Sequence, residues 1–176
     1  MIKDFIWQYI DPPEEEVINM QNLYRAAITE YVREPFSYFQ WLKLDVTHFM
    51  GLELKQTFLI QSPPMAPGVI HQDGDWNLPP GLALNIPLEN CETAVTEFWE
   101  SDIEPSLWYT PQVGEIPSQA TRYHKHEDCR KIDEFTLTRP IIFNHSVSHC
   151  VRNDGPNWRR SISLRFKEEP WHLIKS

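Results

Sequence analysis

From Thr57 onward the chain reads as a series of short apolar segments with no helical stretch between them. TFLIQS, GVIHQD, LALNIPL, TAVTEFW, EFTLT, PIIFNHS, SHCVRN and RRSISLRF are each a few residues long and bounded by Pro, Gly, Asn or Asp. Runs of that length and punctuation predict β-strands joined by turns. A parallel sheet needs a crossover helix between successive strands, and no 10–15-residue helical pattern separates these segments. The remaining choice is a jelly-roll or barrel of antiparallel strands with any helices packed outside. Fifteen prolines against six glycines fit stiff turns and leave little material for a glycine-rich phosphate loop.

The helical part is expected before the strands. From Glu14 to Arg33, Val17, Met20, Leu23, Tyr24 and Ala27 recur at three- and four-residue intervals. Pro12 and Pro13 precede them, where proline suits a helix start. A weaker helix is expected over Tyr38–Met50. A chain of 176 residues predicts one domain able to bury a core without staples. Within it, residues 1–56 are expected as a helical covering segment and 57–167 as the β core. Ser101–Cys129 is the least regular part and reads as a long loop or an extra hairpin near an opening.

Charge and composition exclude several classes. Acids outnumber bases 25 to 16, for a net charge of −9. That argues against nucleic acid or an anionic membrane as the main partner. No apolar run approaches the ~20 residues of a membrane span. The N-terminal stretch MIKDFIWQYIDPPEEE does not read as a signal peptide. Cys91, Cys129 and Cys150 are odd in number and lack CxxC spacing, so they are expected as reduced thiols in a cytoplasmic protein.

The chemistry concentrates at two places. In His71-Gln72-Asp73, strand alternation sends the imidazole and the carboxylate to one face, within reach of one metal ion. Far downstream, His149 opens one strand and Arg159 opens the last, ten residues later. In a rolled-up sandwich, strands distant in sequence become neighbours, and one histidine there completes a two-histidine, one-carboxylate facial set. His145 is the rival third ligand. In the last strand Arg159, Ser161, Ser163 and Arg165 share one face, and Ile162, Leu164 and Phe166 the other. The apolar row is expected under the helices, which turns the polar row inward. A buried guanidinium needs an anionic partner, and its fork matches a carboxylate. Arg159 with Ser161 is therefore a candidate carboxylate clamp, with Arg165 in reserve and a surface salt bridge as the plainer alternative. Asn85, on the face opposite Leu82, Leu84 and Ile86, is a candidate for the same pocket or for a backbone partner. Trp76 and Trp99 are read as core aromatics before pocket walls. His124 and His126 form an HxH that fits a metal set poorly. His48 and His172 read as structural or exposed, and Cys150 as facing away from His149.

Taken together, HQD, LALNIPLENCETAVTEFW and FNHSVSHCVRNDGPNWRRSISLRF resemble the iron(II)- and 2-oxoglutarate-dependent oxygenases. They are most similar to short stand-alone proteins like the aspartyl/asparaginyl β-hydroxylases. The resemblance covers roughly residues 68–166, with 101–137 contributing little. It implies a double-stranded β-helix (jelly-roll, cupin-like), with His71, Asp73 and His149 as Fe(II) ligands. It implies Arg159 and Ser161 at the distal carboxylate of 2-oxoglutarate. The implied activity is hydroxylation of a small molecule or peptide, using O2 and releasing succinate and CO2. Some of these hydroxylases lack the carboxylate ligand, whereas this chain has Asp73. The alternatives are a non-redox cupin-like metalloprotein, either an isomerase or a small-molecule sensor, and a catalytically silent interaction domain.

Overall fold

The last strand, β13 (Arg159–Phe166), alternates as its sequence requires. Ile162, Leu164 and Phe166 enter one apolar cluster, and the Arg159–Ser161–Ser163–Arg165 row lies on the opposite face. The computed structural model describes residues 5–31, 39–41, 46–73, 81–110 and 119–174. Within it β13 pairs with β4 (Leu52–Ser62) on one side and β6 (Leu82–Glu89) on the other. The first sheet runs β1 (Trp7–Tyr9), β11 (Ile141–Asn144), β6, β13, β4, β2 (Phe39–Trp41), with β3 (His48–Phe49) also paired to β4. The second sheet runs β10 (Arg130–Thr136), β7 (Ala94–Glu100), β12 (Ser148–Asn153), β5 (His71–Asp73), β9 (Gln119–Tyr123), β8 (Ser106–Thr110). Every strand pair is antiparallel. The fold is mainly β, with the two sheets packed face to face.

Two apolar layers hold this arrangement. Outside the first sheet, Met20 and Tyr24 of the helix α1 (Glu14–Tyr31) pack with Leu82, Leu84, Ile86, Ile162 and Leu164. The acids Glu14, Glu15 and Glu16 occupy the first turn of α1, where they complement the helix dipole. Val17 and Ala27 support the buried pair, but Leu23 is 44% exposed and belongs to the solvent face. Between the sheets, Ala83, Ile141 and Phe143 of the first sheet meet Phe98 and Phe135 of the second. This inner layer is apolar only at the β7–β10–β11 end. The polar row of β13 and the histidines of β5 and β12 occupy the rest.

Several expectations are corrected. Within the span where a helix is expected, Tyr38–Met50, residues 39–41 and 48–49 form β2 and β3 while 38 and 42–45 lie outside the described residues, and one α-helix is present among the described residues. Residues 1–56 thus contribute β1, β2, β3 and the start of β4, at Leu52, as well as α1. Local helical spacing lost there because β4, nearly all buried toward its end, offers open edges that short strands can pair. The irregular segment is a hairpin, β8–β9, that extends the second sheet beside β5. Pro87 sits within central β6, opposite Ser161, where the pairing with β13 shifts register and no N–H is required of it. Among the described residues no helix is long and apolar enough to cross a membrane.

The approach to β5 depends on one glycine. Gly68 has φ +77°, and a Cβ there would lie 2.7 Å from the Val151 carbonyl oxygen. Gly51 has a similar φ of +73° with open space around it. Gly51→Ala should cost only the left-handed penalty of roughly 1–2 kcal/mol. Gly68→Ala should cost clearly more, since backbone must also move. Urea unfolding of the two variants side by side checks this, and equal losses would show that the contact with β12 yields freely.

Candidate metal centre

Alternation within the three-residue strand β5 puts His71 and Asp73 on its inner face. The Cα of His71 pairs with that of His149 on β12, so the two imidazoles meet across the ladder with ring centroids 4.5 Å apart. Each of the three residues offers a ligand atom, and these atoms all lie within 4.8 Å of one another. His149 is buried and flanked by Phe143 and Phe98, with centroids at 5.3 and 6.3 Å. The side chains of His71 and Asp73 keep 27% and 35% exposure, so the set opens on one side.

The hydrogen bonds leave the donor atoms available. His71 Nδ1 lies 2.8 Å from the Val69 carbonyl, and His149 Nδ1 lies 2.8 Å from the Val147 carbonyl. A carbonyl only accepts, so Nδ1 carries the proton in both rings. The lone pair of the neutral imidazole is then on Nε2, the tautomer a metal requires. Asp73 Oδ1 lies 3.5 Å from His71 Nε2, while its Oδ2 accepts from Arg165 Nη2 at 3.2 Å. One carboxylate oxygen thus faces the imidazoles and the other is tethered. Two nitrogens and an oxygen on one side suit a facial triad with open positions opposite.

The charges around the set have consistent directions. Burial works to raise the Asp73 carboxyl, but His71, His149 and Arg165 beside it outweigh that and hold it well below the usual carboxylate range. Burial lowers His149 to about 4, with neighbouring His71 acting in the same direction. The site is therefore a carboxylate and a neutral imidazole at neutral pH, as ligands must be.

The other predicted residues fall into place on the facing sheet. Arg159 is 1% exposed, and its Nε and Nη1 have no hydrogen-bond partner among the described residues. The Cys91 thiol lies beside it, but Cys91 Sγ donates to the Arg160 carbonyl at 2.9 Å, and a thiol does not neutralise a guanidinium. Ser161 Oγ and Asn85 Oδ1 are likewise buried, with no hydrogen-bond partner among the described residues. Asn85 pairs in register with Ser163, so all three line the inner face of adjacent strands. Among the described residues Arg159 makes no salt bridge, and it is Arg160 that makes one, with Glu89 and a 3.0 Å bond to Gln61.

Residues outside the set have other partners. The His145 carbonyl accepts from the Asp73 N–H at 3.1 Å, and its ring packs against Gly81. It therefore buttresses Asp73 through backbone and lies outside the ligand cluster. His126 is exposed against Trp99, and Trp99 packs with Ile70 and Cys150 on the outer face rather than lining the site. Cys150 faces away from His149, and burial pushes its thiol up to about 12. All three cysteines are free. His48 and His172 are exposed. Trp76 lies outside the described residues. The tie from Arg165 to Asp73 was the contact missed from sequence, although both residues were placed on inward faces.

No protein-family profile matches the chain, nor does any curated protein sequence. Solved structures do. EvdMO1 superposes with a TM-score of 0.54 at 12% identity, over 93% of this chain and 47% of that one. AviO1 from Streptomyces viridochromogenes Tue57 gives 0.48 at 11% identity, over 94% of this chain and 92% of that one. The chain thus shares a fold with EvdMO1 while spanning about half its length.

Acid should act on the metal-free protein with a definite sign. In the unfolded chain His145 and His149 take up protons near 6.5, whereas burial lowers them in the fold to about 3 and about 4. The unfolded state then binds more protons, so stability is full above the ordinary histidine range. It falls as pH drops toward the folded values, by up to ~1.4 kcal/mol per pH unit for each histidine. Urea unfolding of chelator-treated protein should lose roughly 2–4 kcal/mol between pH 7 and pH 5. An unchanged midpoint would show that these rings accept protons in the folded state.

Proposed function

We propose that this chain is an Fe(II)- and 2-oxoglutarate-dependent dioxygenase on a double-stranded β-helix, hydroxylating a small molecule or peptide. The observation that carries this reading is the fully buried guanidinium of Arg159, whose Nε and Nη1 have no hydrogen-bond partner among the described residues, on the sheet facing the His71–Asp73–His149 set. A charge left in that state is costly unless a ligand completes it. A dicarboxylate that reaches a metal with one end and a guanidinium fork with the other answers both features at once.

The chain's own residues have distinct roles. His71, Asp73 and His149 would hold Fe(II) through two Nε2 atoms and Asp73 Oδ1. Arg165 fixes Asp73 by its second oxygen, which favours one-oxygen ligation and keeps positions open for cosubstrate and O2. Arg159 and Ser161 would bind the distal carboxylate, and the Asn85 carbonyl oxygen would accept from a donor at the cosubstrate or substrate. Phe98 and Phe143 exclude water behind His149. Bound there, iron and 2-oxoglutarate supply the oxidation: one atom of O2 enters succinate with loss of CO2, and the other enters a C–H bond of the substrate.

Anaerobic addition of 2-oxoglutarate to the Fe(II) protein should give a visible charge-transfer band, and succinate should not. A flat spectrum in an iron-loaded sample would instead favour a metalloprotein without this cosubstrate. His71→Ala, Asp73→Ala and His149→Ala should each bind Fe(II) much more weakly and remain folded, with Asp73→Ala the mildest. His145→Ala should retain iron.

Arg159→Ala should weaken 2-oxoglutarate by roughly 2–5 kcal/mol with iron affinity nearly unchanged. Arg159→Lys should recover only part, because an ammonium lacks the planar fork. Arg160→Ala should leave cosubstrate affinity alone, since Arg160 is engaged by Glu89 and Gln61. Calorimetric titration of the three variants checks the assignment, and normal affinity in Arg159→Ala would overturn it.

A further inference from the structure

We infer that Gln72, Ser148 and His124 form a latch on the back of the second sheet that sets the spacing of the metal ligands on its front, an inference that rests on the metal-centre reading. Strand β5 carries two of the three ligands but is only three residues long. It pairs with β9 at three positions, yet with β12, which carries His149, at one: His71 opposite His149. One ladder pair defines a hinge poorly. The Asp73 N–H donates to the His145 carbonyl at 3.1 Å at one end of β5, and side chains complete the constraint between the ligands.

They do so on the opposite face. Gln72 lies between the ligands His71 and Asp73, and Ser148 immediately precedes His149. Alternation sends both away from the metal set. There the Gln72 amide donates to Ser148 Oγ at 3.0 Å, and Ser148 Oγ lies 3.1 Å from His124 Nε2. His124 follows the last residue of β9, and its own N–H donates to the Ile70 carbonyl just before β5. The hydroxyl therefore accepts from β5 and leaves its own proton for the residue beyond β9. Three neighbouring strands, in the order β12–β5–β9, are tied through one oxygen. Ser148 is 4% exposed, so the shared oxygen is buried while both bonds are part-buried.

These are positioning residues, since the bonds that join them lie on the face of the sheet away from the ligand set. Their loss lets β5 and β12 slide or part, which separates His149 from the other two ligands. Outer partners of metal ligands typically carry 10–100-fold in metal affinity. A residue that merely stabilised the sheet would lower the unfolding midpoint and leave the coordination geometry of the folded protein intact.

Co(II) titration of the full chain, followed by its visible ligand-field bands, separates the two. Ser148→Ala and His124→Leu should each raise the Co(II) dissociation constant 10–100-fold and alter the band pattern, with far-ultraviolet circular dichroism unchanged. Ser148→Thr keeps the hydroxyl and should restore most of the affinity. The double variant should be no worse than the weaker single, because both remove one unit. Parental affinity and bands in both single variants would overturn the latch, as would a lowered midpoint with an unaltered spectrum. If Ser148→Ala fails to fold, His124→Leu decides alone, since His124 sits in a half-exposed connection. A parental chain that binds no Co(II) would sink the metal-centre reading and the latch with it. Normal binding in the parent and in every variant sinks the latch only.

Discussion

The register that sets His71 opposite His149 is the contact on which the rest of the site depends. Side chains alternate along a strand, so a slip of one residue would send the His149 ring to the outer face and bring Ser148 or Cys150 inward. The neighbouring pairing of β12 with β7 runs over six positions and fixes β12 firmly. The short strand β5 is the freer partner, and its approach is channelled by the loop ending at Gly68 and Val69. The Val69 carbonyl that holds the His71 ring belongs to this same loop. Strand position and ring orientation are thus set by one stretch of backbone.

A second constraint lies across the sandwich. Ile162, Leu164 and Phe166 on the outer face of β13 pack under α1, where burial supplies most of the cohesion. The inner face carries two arginines and two serines, which contribute nothing comparable to packing. The same eight residues therefore serve both purposes by alternation alone. The aromatic layer of Phe98, Phe135 and Phe143 closes one end of the space between sheets, which leaves the other end polar. That division explains how a thin sandwich accommodates a charged interior without losing its core.

Much of this was legible in the residues. SHCVRN and RRSISLRF match β12 and β13 residue for residue, because each is short, strongly alternating and bounded by turn residues. The inward direction of Arg159 followed from parity, as did the outward direction of Cys150 and Arg160. The helix over Tyr38–Met50 was misjudged because apolar spacing in a short window cannot distinguish a helix from edge strands recruited by a neighbour. For Ser101–Cys129 the sequence leaves a long loop or an extra hairpin open, and the pairing of β8 with β9 fits the hairpin. The Arg165–Asp73 bond and the Gln72–Ser148–His124 tie join strands far apart in the chain. Parity gives the face of each residue but not which strand lies alongside.

Arg159 has a consequence beyond the chemistry of the site. A guanidinium sealed from water, with only a thiol for company, leaves the fold one negative charge short at its centre. The empty-handed protein and the filled one then differ in thermodynamic footing as well as in occupancy. Whichever small anion reaches that position acts as a folding ligand, raising stability in proportion to the logarithm of its concentration.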